Sequence, residues 1–360
     1  MGVRTRSIWH DYWFAIVLAV GLSAATWLVA AAYHLPVRDP DGFAAQTYIR
    51  FPAIVVGCVL ADILPRCIYR ARHRHDFGTQ FLAVVRERWT LRHVATVAMG
   101  LGAWYVTYVA FRNLKSFVPF VRESTLDGVL ADLDRAILFG YDPAVVLHSM
   151  LGTGLAAHLM SAVYIAWIAW VPLSIAAVLV WTRNARRAAW YITALCVDWV
   201  LGVALYFLVP SVGPIYHEPS NFAAMAVTQN SQIQVNLVSD RMEVLADPFA
   251  TTAVQSIAAF ASLHVGILVT AALIAHSLGM RTLIRKVLWV FLCLTCLATV
   301  YLGWHYLSDV FGGFALGAAG AWLGAVATGH RVRWRPYRQA QAVPSPAGAP
   351  TELADAASER

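Results

Sequence analysis

The chain has 360 residues, a formal net charge of +7 at pH 7, and a composition that is 59% hydrophobic and only 13% charged. Soluble globular domains carry about 25% charged residues, so a soluble domain is excluded. The basic residues lie between long apolar blocks rather than in one patch, so the positive balance calls for no nucleic acid.

The first apolar block, Tyr12 to Tyr33, is too long for a cleavable signal peptide and reads as a retained helix, with Trp9, Tyr12 and Trp13 placed for a membrane interface. In chain order the expected spans are about 12–33, 49–69, 91–111, 155–181, 188–210, 256–278, 287–303 and 306–328. Each is close to the roughly 20 apolar residues that cross a bilayer. In lipid the backbone must satisfy its own hydrogen bonds, and none of the alternating ten-residue segments of a β-barrel is present, so the spans are helices. The expected fold is all-α: a polytopic membrane helical bundle of about eight transmembrane helices.

Between the spans, residues 112–154 read as two short helices on the outer membrane surface. Leu126, Val129, Leu130, Leu133, Ile137 and Leu138 recur at helical spacing among Asp127, Asp132, Asp134 and Arg135. Ser124 or Thr125 is the expected cap of the first, and Asp142-Pro143 opens the second. Residues 211–250 form a long outer loop with turn formers at both ends. The resulting division is 1–111 for the N-terminal transmembrane helices, 112–154 for the outer-surface helices, 155–330 for a catalytic transmembrane core and 331–360 for a disordered cytoplasmic tail.

Orientation follows from charge. With both termini in the cytoplasm, 20 of the 27 lysines and arginines fall in cytoplasmic segments, and only Arg38, Arg50, Arg112, Lys115, Arg122, Arg135 and Arg241 face out. Arginine outnumbers lysine 25 to 2, which fits a GC-rich genome and a bacterial cell membrane. All five cysteines (Cys58, Cys67, Cys196, Cys293, Cys296) lie in apolar segments, so no disulfide framework is expected, nor any metal or redox use of the Cys293/Cys296 pair.

With that topology three helix ends meet in the outer leaflet. One is Tyr206 to Gly213-Pro214, the second is Ser262-Leu-His264, and the third is Gly303-Trp-His305-Tyr-Leu-Ser-Asp309. His305 and Asp309 are four apart and share a helix face. A carboxylate there fixes the imidazole tautomer and frees the other ring nitrogen as a nucleophile, and His264 can protonate a departing oxygen. Ionisable groups in spans are costly and default to function. Asp198 falls mid-span, where a hydrogen bond to a neighbouring helix is expected, and His73 and His75 read as a solvated loop.

These motifs resemble the type 2 phosphatidic acid phosphatase superfamily. Ser262-Leu-His264 is similar to its second motif, His305-x-x-x-Asp309 to the end of its third, and Gly213-Pro214 sits where its first motif ends in Arg-Pro. The resemblance implies His305 as nucleophile, Asp309 as its orienting group and His264 as acid-base partner. It covers about residues 200–328. The first-motif lysine is Tyr206 here, its arginine is Gly213, and the Ser-Arg before the third-motif histidine is Ala298-Thr299. Three phosphate-binding cations of the family, one lysine and two arginines, are therefore absent. The Gly-Pro turn and Trp304-His305-Tyr306 resemble the branch of inositol phosphorylceramide synthase. Substrate binding is expected from Ser262, Gly213, Pro214, Tyr206 and the outer cations Arg112, Lys115 and Arg241.

The function these features imply is an outer-leaflet phosphotransferase, with a phosphohistidine intermediate, a membrane lipid phosphate as donor and a lipid or polyol as acceptor. No cofactor or metal is expected. Hydrolysis of a lipid phosphate or polyprenyl pyrophosphate by the same residues is the alternative. A transporter or metal-binding protein is the alternative of another class, but no repeated halves or broken helix pairs favour it.

Overall fold

The computed structural model of the chain describes residues 7–38, 40, 47–74 and 76–333. Within them every element is helical: α1 (Ile8–Ala32), α2 (Thr47–Arg74), α3 (Phe77–Arg88), α4 (Leu91–Val121), α5 (Asp127–Ile137), α6 (Pro143–Leu151), α7 (Leu155–Trp181), α8 (Ala185–Leu208), α9 (Pro214–His217), α10 (Gln229–Ala246), α11 (Leu263–Ser277), α12 (Thr282–Tyr301) and α13 (Leu307–Thr328). Seven of them (α1, α2, α4, α7, α8, α12 and α13) are long and apolar enough to cross a membrane, and the protein is a multi-pass membrane protein. The expected tail beyond residue 333 lies outside the described residues, as does His75.

The sixth expected span, 256–278, is corrected. Its helix, α11, has only 15 residues, about 22 Å at 1.5 Å per residue. The preceding stretch is irregular but buried, and irregular backbone at membrane depth is tolerated when protein covers it. Its polar groups are satisfied by other segments. Gln255 donates to Lys115 O, Ala259 N to Ser211 O, Phe260 N to Ser211 Oγ, and Ser262 N to Asp309 O.

Three further boundaries differ. α4 runs to Val121 rather than stopping near 111. Its polar run Arg112-Asn113-Lys115 looks like an interface, yet Asn113 is buried and exchanges two bonds with the backbone of Arg38. The outer loop 211–250 contains the 18-residue α10, capped by Thr228. Its buried residues are Asn230, Gln234 and Val244, whereas Val235, Val238, Met242 and Leu245 are exposed, which blurs the usual amphipathic pattern. The basic run after α2 contributes α3, capped by Asp76 and tied back by Arg88 to the buried Asp62.

α8, α11 and α13 form the centre. α13 carries small residues at turn spacing, and a Cβ on Gly317 would come within 2.2 Å of Gly266 O, so α11 and α13 are in backbone contact. Trp190 Nε1 donates to Ala321 O across α8 and α13. The expected partner for Asp198 is Thr270 of α11, whose hydroxyl lies 2.8 Å from Oδ2. The C-terminal end of α8 therefore lies with the N-terminal ends of α11 and α13, and Arg186 binds Thr328 O at the opposite end of the bundle.

Candidate active site

Each motif is delivered by a local device. α12 ends in a Schellman turn: Gly303 N donates to Val300 O and Trp304 N to Thr299 O, with Gly303 at φ +74°. The chain reverses there and presents His305 just before α13. His305 N–H also donates to Thr299 O at 3.2 Å. Ser262 caps α11, accepting from Val265 N at 3.4 Å, and so sets His264 in the first turn. Gly213 has φ +100° and ψ 158°, a conformation essentially confined to glycine, and Pro214 starts the one-turn α9.

The three residues picked out as catalytic meet in a linear chain. Asp309 Oδ2 lies 3.2 Å from His305 Nδ1, and His305 Nε2 lies 2.8 Å from His264 Nδ1. Asp309 Oδ2 also accepts from Tyr306 N at 3.0 Å. A carboxylate on Nδ1 makes that nitrogen the donor and leaves the lone pair on Nε2, where His264 Nδ1–H donates. His305 is 3% exposed and Asp309 is fully buried. Aromatic rings wall the second histidine: Trp167 and Tyr164 have ring centroids 4.3 and 5.1 Å from that of His264, and Trp304 stacks on Tyr164. Trp167 Nε1 donates to His264 O, fixing the backbone as well. Chemically, the arrangement offers one oriented nucleophilic nitrogen and one proton carrier in a water-poor pocket.

The other expected binding residues divide. Tyr206 is buried, and the Lys115 ammonium sits 4.9 Å from its ring centroid. A cation from α4 thus occupies the neighbourhood of the absent motif lysine, and its charge reaches His264. Arg241 on α10 is half-buried. Burial pulls its guanidinium below the usual value and the Asp127 carboxylate works the other way, which places the two charges near each other. Among the described residues neither Lys115 nor Arg241 makes an ion pair with a carboxylate. Arg112 instead binds Tyr108 OH, Pro40 O and Ser256 Oγ, bracing the irregular stretch before α11. Arg38 binds Ala253 O and Pro248 O. Ser262 spends its hydroxyl on the α11 cap.

Two residues that pattern alone read as the polar face of a surface helix belong to the site. Asp127 accepts from Val212 N, Gly213 N and Tyr306 OH at 2.9–3.0 Å. Asp134 accepts from Leu307 N and Ser308 N. Burial pushes the Asp134 carboxyl up, and the Ser308 and Leu307 amides pull it back. The only sequence signal was their seven-residue separation, two helical turns, which puts both on one face of α5. The expected cap at Ser124 or Thr125 is corrected: the N-cap position of α5 is Leu126, with no side-chain bond.

No curated protein and no solved structure matches the chain. The model of the PAP2 superfamily matches residues 129–323, more than half of the chain, and runs from α5 through α13 across all three motifs. The chain therefore belongs to the PAP2 superfamily, whose domain is characteristic of lipid phosphatases and phosphotransferases, and it is an enzyme of that kind.

Proposed function

We propose that the protein transfers a phosphorylated headgroup, with inositol phosphate the one its motif resemblance points to, between membrane lipids through a phosphohistidine on His305. The Asp309–His305–His264 chain carries this reading. His305 Nε2 attacks phosphorus and the P–O bond to the lipid alcohol breaks. His264 Nδ1–H supplies the proton that the departing oxygen needs. An acceptor hydroxyl then attacks phosphorus, His264 takes its proton and the P–N bond breaks. Because His264 rests on Nε2 itself, substrate must part the two rings before attack. Burial of His305, behind a His264 walled by Trp167 and Tyr164, keeps water from the phosphoenzyme and supports an alcohol rather than water as acceptor.

Lys115 and Arg241 are the cations proposed to hold the phosphate, since the other outer arginines with described side chains are bonded within the protein. The assay is purified protein with phosphatidylinositol labelled in its phosphate, with and without a long-chain alcohol. Label should move into a new lipid only when the alcohol is present. Release of water-soluble label at the same rate in both cases would favour hydrolysis instead. Lys115→Ala and Arg241→Ala should each raise the donor KM by roughly 10- to 150-fold, from the about 1.5–3 kcal/mol of a charge-assisted contact. Arg183→Ala, at the far end of the bundle, should leave it unchanged, and equal effects at all three would remove the assignment.

The site is proposed to face the extracytoplasmic side of the cell membrane, on the strength of the arginine distribution. Cysteine at Phe139 or Val227, both highly exposed at the site end, should react with an impermeant thiol reagent in intact cells. Cysteine at Arg183 should not, and labelling at Arg183 alone would invert the topology.

A further inference from the structure

α5 buries the wrong face for a helix that merely lies on a membrane. It turns Asp127 and Asp134, 0% and 2% exposed, toward the protein beside Leu130 and Ala131, and leaves Val129, Leu133 and Ile137 exposed along with Asp132. Burying a carboxylate costs several kcal/mol unless hydrogen bonds replace its water. Arg241 lies near Asp127, but among the described residues neither carboxylate forms an ion pair, and the neighbouring Arg135 binds Asp132 and Glu218. Among the described residues, their side-chain hydrogen-bond partners belong to the two turns that carry the site.

We propose that Asp127 and Asp134 are positioning residues for the transfer reaction, with Asp134 capping α13 from outside so that Asp309 is left to orient His305, and Asp127 latching the Gly213 turn to Tyr306. The first N–H groups of a helix need acceptors. At α13 the N-cap residue is Tyr306, whose side chain supplies none. Asp134 takes Leu307 N and Ser308 N. Asp309, in the same first turn, is the nearest carboxylate able to replace it. If Asp309 turned to those amides, its bond to His305 Nδ1 would be lost and Nε2 would no longer be fixed as the lone-pair nitrogen. Asp127 acts on the other wall. Its three donors come from the 209–213 segment and from Tyr306, so one carboxylate joins the first motif to the third.

This inference rests on the phosphohistidine reading, and the test separates the two. The assay is again labelled phosphatidylinositol with a long-chain alcohol. Asp134→Ala should lower kcat by about 10- to 100-fold, since a displacement near 1 Å in an active site can cost that much, while KM changes little. Asp134→Asn should fall between Asp134→Ala and the wild type, because Leu307 N and Ser308 N are accepted by different carboxylate oxygens and an asparagine keeps only one of them. In an Asp309→Ala background, Asp134→Ala should cost no further rate. Tyr306→Phe should add nothing to Asp127→Ala. A second measurement needs no turnover: the downfield imidazole proton on His305 Nδ1, assigned by its loss in His305→Ala, should persist in Asp134→Asn and vanish in Asp134→Ala. If that proton persists in Asp134→Ala, or if Asp134→Ala multiplies with Asp309→Ala, the clamp is overturned. Full activity of His305→Ala would instead overturn the phosphohistidine reading.

Discussion

Replacing His305 by alanine is expected to abolish turnover with every donor, because no other nitrogen in the pocket is held by a carboxylate. His305→Ala should also fail to trap an acid-labile phosphoryl label that the wild type accumulates. Asp309→Asn should fold, since an amide oxygen in the place of Oδ2 still accepts from Tyr306 N and His305 Nδ1–H, yet lose rate, because a neutral amide no longer stabilises the positive charge that His305 gains on attack. His264→Ala should separate donors by leaving group. Its Nδ1 lies 2.8 Å from His305 Nε2, so the substitution removes both the proton source and the bond that covers the nucleophile. A donor with an alkoxide leaving group should react as poorly as with Asp309→Asn. A donor with a nitrophenolate leaving group, which needs no proton, should retain a burst of phosphoenzyme formation. A label that survives in His305→Ala and disappears in His264→Ala would reverse the two roles.

Restoring the family's first-motif arginine, Gly213→Arg, is expected to inactivate the enzyme rather than strengthen its hold on phosphate. Gly213 has φ +100° and ψ 158°, a region that costs any other residue about 1–3 kcal/mol. A Cβ there would also sit 2.7 Å from Trp304 O, which is backbone and cannot swing aside. The residue after Trp304 is His305, so the displacement reaches the nucleophile directly. Gly213→Ala, which adds the Cβ and no charge, should lose nearly as much kcat as Gly213→Arg. If Gly213→Arg instead lowered the donor KM at unchanged kcat, the turn would be pliable and the absence of the motif arginine would have no steric cause. Lys115, reaching the pocket from α4 over the Tyr206 ring, explains how a site with a glycine there can still present a cation.

The membrane fold was legible in the sequence because lipid imposes one rule on every span. Apolar runs long enough to cross, bounded by arginine, have few solutions other than helices. The meeting of Asp309, His305 and His264 was legible for a related reason. His305 and Asp309 are joined by helical periodicity, and His264 is brought beside them by topology rather than by local pattern. The sequence could not show which polar residues look inward. Arg112-Asn113-Lys115 marks a helix end by composition, yet α4 continues to Val121 because Asn113 has the Arg38 backbone to bond. α10 was hidden for the same reason, its buried face mixing Asn230 and Gln234 with Val244 while Val235, Val238, Met242 and Leu245 lie outside. Asp127 and Asp134 look like the wet side of a surface helix until their acceptor oxygens are found on main-chain N–H groups from chain segments some 80 and 170 residues away. Hydrophobic periodicity reports what a segment buries only when burial is apolar. Where a site buries hydrogen-bonding groups against one another, the partners are decided by tertiary contacts alone.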